Sequence, residues 1–202
     1  MNNKGLVNWA IWISVLSGIY VAAYLFTVGT YTSASVLPGY QIVYATFTAL
    51  PIYFTSGAKR EDFFKYCLSY ITGPCRGMLY LWIMDRVAAA GIITNPWTNI
   101  AVVVAIVCTV ECALHFTVLS KLPISVVPAQ FGAISNTFWS SNLSISILGA
   151  GATAQAGFYN FAAVPVLMLT LCGGTLLGLI CQEGLHFINE KTGSWQLPGS
   201  SE

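Results

Sequence analysis

The near-continuity of its apolar stretches constrains this chain most. Residues 5–28 carry no charge, and comparable stretches recur near 37–55, 63–90, 97–119, 124–148 and 159–187. A helix needs about 20 mostly apolar residues to cross the hydrocarbon of a bilayer. Charge is scarce throughout: among 202 residues, 8 are Lys or Arg and 7 are Asp or Glu, or 7%. Soluble domains carry roughly 25% charged residues. With so few, this chain cannot clothe its surface in hydrated groups, and its surplus apolar surface must meet lipid. The expected fold is an all-α integral membrane protein with about six transmembrane helices. The first stretch exceeds the apolar core of about 7–15 residues found in a cleaved signal. It also holds Trp9 and Trp12, and it reads as a retained first span.

The basic residues set the expected orientation. Lys4 precedes the first span, Lys59, Arg60 and Lys65 flank the second turn, Lys121 lies between spans four and five, and Lys191 follows span six. The opposite connections, near 29–36, 91–96 and 149–158, carry no charge. Basic residues concentrate on cytoplasmic loops, so both termini are expected in the cytoplasm. Residues 1–6 and 188–202 are then a cytoplasmic N-terminus and tail. A net charge of +1 offers no electrostatic footprint for nucleic acid.

The two halves rhyme. Leu37-Pro38, Gln41 and Thr46-Phe47 in the first are echoed by Val127-Pro128, Gln130 and Thr137-Phe138 in the second. Gly73 and Gly77 in span three are matched by Gly174 and Gly178 in span six. A repeated unit with an odd number of spans must invert in the membrane. The expectation is two inverted three-helix repeats, 7–90 and 91–187. Such repeats place a pathway near the midplane, where interrupted helices meet. The paired glycines have the spacing that lets helices approach closely.

Few residues carry chemistry. Arg76 lies near the middle of span three, two residues after Pro74. A charge at membrane depth finds a partner or water. Arg76 therefore either faces a polar solute, caps the carbonyl that Pro74 frees, or pairs with Glu111. Glu111 and His115 stand one turn apart on span four, as an intramembrane proton relay or a buried pair. Span five is dense in neutral polar groups, among them Gln130, Asn136, Ser140 and Asn142. With Phe138 and Trp139 they suit a constriction for a small neutral polar solute. The expected pathway residues are Gln41, Phe47, Arg76, Gln130, Asn136, Phe138 and Trp139. The six cysteines read as apolar packing residues. Cys108, Cys112 and His115 share a helix face but lack an evident fourth ligand, so neither metal nor cofactor is expected. No HExxH, GxSxG or P-loop is present, and no enzymatic activity is expected.

Several short motifs resemble a family of bacterial inner-membrane proteins of unknown function represented by YcdZ. They are Leu16-Ser17-Gly18-Ile19-Tyr20, Gly73 to Gly77, Val126-Val127-Pro128 with Gly132-Ala133 and Thr137-Phe138, and Val164-Pro165 with Leu177-Gly178. The resemblance implies a multi-pass protein of the bacterial inner membrane. Arg76 and the segment 59–62 depart from that pattern, so it implies nothing about a charged pathway. The expected function is a channel or facilitator for a small polar solute, working as a symmetric homo-oligomer in the lipid bilayer. The alternatives are a subunit that docks a partner and a proton-coupled transporter using Glu111 and His115.

Overall fold

A computed structural model describes residues 1–30, 42–57, 59–140 and 164–196. Leu37-Pro38, Gln41, Asn142 and the part of span five beyond residue 140 lie outside the described residues. Among those described, the chain forms six α-helices and no sheet. They are α1 (Asn3–Tyr24), α2 (Tyr44–Thr55), α3 (Phe63–Ala89), α4 (Pro96–Thr117), α5 (Val127–Ser140) and α6 (Val164–Glu183).

Local chemistry sets the ends. The Asn2 side chain caps α1 by accepting from the Gly5 N–H at 2.9 Å. Asn95 caps α4 through the Thr98 N–H, with Pro96 next. Pro is tolerated there because first-turn N–H groups have no helical partner. Helices α5 and α6 both open on Val-Pro. α1 relaxes into a π turn, Leu25–Gly29.

A 3-10 turn, Arg60–Asp62, leads into α3. The Asp62 carboxylate accepts from the Lys59 N–H at 3.3 Å and from Lys65 Nζ at 3.2 Å. These bonds, the backbone one first, hold its pKa below the usual carboxylate value. A depressed folded pKa stabilises the fold above the unfolded value of about 3.9. That contribution is lost as pH falls through the folded pKa. Asp62→Asn should therefore lower the melting temperature slightly at pH 7, by less than about 1 kcal/mol as for exposed pairs. The difference from wild type should vanish in strong acid. A difference that persists there would contradict the ionic account.

Among the described residues, three helical segments are long and apolar enough to cross a membrane: Asn3–Gly29, Pro96–Thr117 and Val164–Phe187. α3 has the length but carries Lys65, Arg76, Asp85 and Arg86. The described parts of α2 and α5, at 12 and 14 residues, reach only about 18 and 21 Å, short of a hydrocarbon core about 30 Å thick. The distribution of side chains is consistent with a membrane protein. Ile11, Val15 and Ile19 on α1 and Ile106, Val110 and Leu114 on α4 face outward, whereas Thr46, Ser69, Asn99, Glu111, His115 and Gln130 are buried.

Lipid is as apolar as Leu, so close approach and polar pairs, rather than the hydrophobic effect, select which helices meet. Gly73 and Gly77 bring α3 onto α5. A Cβ at Gly73 would stand 2.4 Å from Ala133 Cβ, and one at Gly77 2.6 Å from Thr137 Cβ. Gly174 and Gly178 bring α6 onto α2 in the same way, against Thr46, Ala49 and Tyr53. In both seams the residue numbers rise together, so the paired helices are parallel. α3 also packs on α6, with Cys172 Sγ 3.6 Å from the Cys67 carbonyl. α1 lies antiparallel on α6 through Trp9 Nε1 to the Cys181 carbonyl and Tyr24 to Thr170. α4 lies antiparallel on α3 through Asn99 Nδ2 to the Met84 carbonyl and Tyr80 to Glu111. The start of the chain meets the segment that follows α6: Asn2 and Asn8 donate to the carbonyls of Lys191 and Gly193.

Candidate functional site

The strongest polar cluster lies where α3, α4 and α5 meet. Thr72, Arg76 and Tyr80 are four apart on α3, so they share one face. Glu111 and His115 present the matching face of α4, whose other buried positions are Asn99 and Val103. Gln130 comes from the first turns of α5, brought close because Gly73 has no side chain between it and α3.

Arg76 is midway along α3, about 20 Å from either end at 1.5 Å per residue. Its side chain is 17% exposed and that of Glu111 10%. Arg76 Nη1 donates to Gln130 Oε1 and lies 3.4 Å from His115 Nδ1, while Nε stands 3.8 Å from Glu111 Oε1. Tyr80 donates to Glu111 Oε2 at 3.3 Å. The Gln130 amide donates to Thr72 Oγ1 and to the Ile124 carbonyl, so both ends of the amide are used. Nearby, Ser69 Oγ accepts from the Val126 N–H at the mouth of α5. A lone charge at this depth costs about 3 kcal/mol or more. Pairing with Glu111 offsets part of that penalty, and with both groups ionised the cluster carries no net charge.

One group is left over. His115 is 2% exposed, and its Nε2 has no hydrogen-bond partner among the described residues. Its Nδ1 faces the Arg76 donor, so the ring hydrogen belongs on Nε2. The result is a buried donor without an acceptor, at a cost of roughly 1–3 kcal/mol. Such a group fits a site that receives a guest.

Of the other expected site residues, Phe138 borders the cluster, packing edge-on against Tyr80 with ring centroids 5.6 Å apart, whereas the rest lie apart from it. Phe47 and Trp139 are exposed, at 44% and 67%, and do not join Gln130 or Arg76. Asn136 is buried but donates to its own helix, at the Gly132 carbonyl. The Cys108 and Cys112 thiols lie 3.9 Å apart, and among the described residues no group of three His, Cys, Asp or Glu side chains converges as a metal site. Thr72 and Tyr80 belong to the cluster although the sequence reading passed over them. Their spacing of four on either side of Arg76 was the available signal. Comparison of the chain with protein-family models, curated proteins and solved structures gives no match.

Proposed function

We propose that this chain is a six-span protein of the bacterial inner membrane, with both termini cytoplasmic. It conducts a small polar solute past a station formed by Arg76, His115 and Gln130. The observation that carries the reading is the buried, internally neutralised cluster with its unpartnered His115 Nε2.

The packing supports six crossings. Neighbours of opposite parity in chain order, α1 with α6 and α3 with α4, run antiparallel, while α3 with α5 and α2 with α6 run parallel. An up-and-down chain requires both. The contact between Asn2 and Lys191 agrees with an even number of crossings. An inverted repeat is supported by the seams themselves. Exchanging α1 with α4, α2 with α5 and α3 with α6 carries the Gly73–Gly77 seam onto the Gly174–Gly178 seam. It also carries the α1–α6 contact onto the α4–α3 contact. Repeats of this kind hold substrate sites at the interface of the two units.

Reconstituted vesicles provide the test. Stopped-flow swelling with a panel of small neutral and anionic solutes should show at least one that enters faster than into protein-free vesicles. Vesicles tight to the whole panel would overturn the pathway. They would favour a subunit that docks another membrane protein, through the α4 face on which Val102, Ile106, Val110 and Leu114 are exposed.

A further inference from the structure

The segment after α6 folds back onto the protein. A 3-10 turn, Gly184–Phe187, closes the apolar segment that begins at Val164. The chain then reverses as a short hairpin in which Ile188 bridges Trp195 antiparallel. Asn189 builds the turn: its Oδ1 accepts from the Lys191 and Thr192 N–H groups, each at 3.0 Å. Gly193 completes it at a φ of 68°, where a side chain would be strained. Gly193 also lets the hairpin lie on α1, because a Cβ there would run into Asn2 Oδ1 and the Gly5 nitrogen. Asn2 and Asn8 donate to hairpin carbonyls, and Lys4 Nζ donates to Ser194 Oγ at 3.3 Å.

The hairpin ties up its own polar backbone. The Asn189, Gly193 and Gln196 N–H groups donate to the Ser194, Asn189 and Phe187 carbonyls. Carbonyls at the end of α6 are taken by indoles of α1, Ile180 by Trp12 Nε1 at 3.3 Å and Cys181 by Trp9 Nε1 at 2.9 Å. Water would satisfy these groups in a free tail, whereas a segment at the edge of hydrocarbon must satisfy them itself. Trp195 is half-exposed and lies beside Trp12, with ring centroids 6.2 Å apart. Trp12, Val15 and Ile19 share one face of α1, and Val15 and Ile19 are exposed, so Trp195 stands at the end of an apolar strip. Asn3–Gly29 spans 27 residues, about 40 Å, which exceeds the hydrocarbon core by about 10 Å. Centred, it leaves about 5 Å outside at each end, while Trp12 lies about 14 Å along from Asn3. Helix side chains lean toward the N-terminus, so the two rings come to rest just beneath the headgroups. Lys4 and Lys191 stand at the Asn2 end, against the carboxylate of Glu190, and give that edge a net positive charge suited to lipid phosphates.

Resting on the reading of α1 as a membrane span, we infer that the hairpin 188–196 is an interfacial anchor. Docked on α1, it seats Trp195 at the acyl boundary of one leaflet, with Lys4 and Lys191 on phospholipid headgroups. Trp suits that boundary because its ring is apolar and its N–H is polar, and lysine stems reach outward from it.

The experiment uses the full chain, labelled with fluorotryptophan, in nanodiscs of phosphatidylcholine and phosphatidylglycerol. The fluorine resonance missing from Trp195→Phe, or from Trp195→Tyr, identifies Trp195, and the remaining tryptophan resonances report that the variant is folded. A nitroxide lipid labelled near the carbonyl should broaden the Trp195 resonance several-fold more than one labelled near the methyl end. A gadolinium chelate in the water should leave it nearly sharp. Gly193→Ala, which cannot seat the hairpin on Asn2 and Gly5, should make Trp195 sensitive to gadolinium. An unchanged Trp195 response in that variant would overturn the docking on α1. Gadolinium broadening in the wild type without nitroxide broadening, while the exposed Trp97 and Trp139 respond to lipid, would place the hairpin in water and overturn the anchor alone. Protection from all three probes would overturn it in favour of cover by a second copy. If no tryptophan responds to either lipid, the reading of the chain as a membrane protein falls with it.

Discussion

Arg76→Met should be the most damaging single substitution in the polar cluster, and Arg76→Met with Glu111→Gln should recover much of the loss. Removing the guanidinium strips Glu111 of its one cationic partner among the described residues and leaves it with the Tyr80 hydroxyl at 3.3 Å. Breaking a buried ion pair from one side costs about 3–5 kcal/mol. The lost bond to Gln130 matters less, since side-chain hydrogen bonds between membrane helices average about 0.6 kcal/mol. The ionic contribution therefore dominates. Replacing both partners by neutral groups of similar volume removes the buried charge altogether, which is often neutral for stability. Thermal unfolding in a mild detergent reads the effect. A single variant as stable as the wild type, or a double variant no better than the single, would show that Arg76 does not hold Glu111.

The second large effect is expected at Gly174. A Cβ there would stand 2.5 Å from the Thr46 carbonyl oxygen and 2.9 Å from Ala49 Cβ. The first obstacle is backbone and cannot rotate away, so α2 must withdraw from α6. Gly174→Ala should cost about 1–3 kcal/mol, the usual penalty of overpacking, and Gly174→Leu should prevent a stable fold. Gly18 is the control. It lies within α1, and a Cβ there meets nothing within 4 Å. Gly18→Ala should be neutral or stabilise by up to about 1 kcal/mol, because Gly costs that much in a helix interior. Equal melting temperatures for the two alanine variants would mean that the α2–α6 seam is looser than the coordinates place it.

Some of this architecture follows from local sequence alone. Apolar length and scarce charge dictate helices in lipid, and Asn2, Asn95 and the Val-Pro pairs mark where helices begin because they act on their own backbone. The spacing of Glu111 and His115 puts them on one face for the same reason. Which residues meet across helices is a different matter. The repeated Thr-Phe pairs align Thr46 with Thr137, but the seams place Thr46 and Ala49 on Gly174 where Gln130 and Ala133 sit on Gly73. The difference arises because a matching residue type carries no information about depth, whereas the position of a glycine decides where two backbones can touch. Trp139 shared the polar company of span five in the sequence, and Phe47 was matched to Phe138 in the repeat, yet helix rotation turns Phe47 and Trp139 outward. Gln130 reaches Arg76 only because Gly73 lets α5 close on α3. Short-range backbone chemistry was readable along the chain; the partners of Arg76 were decided by how closely three helices could pack.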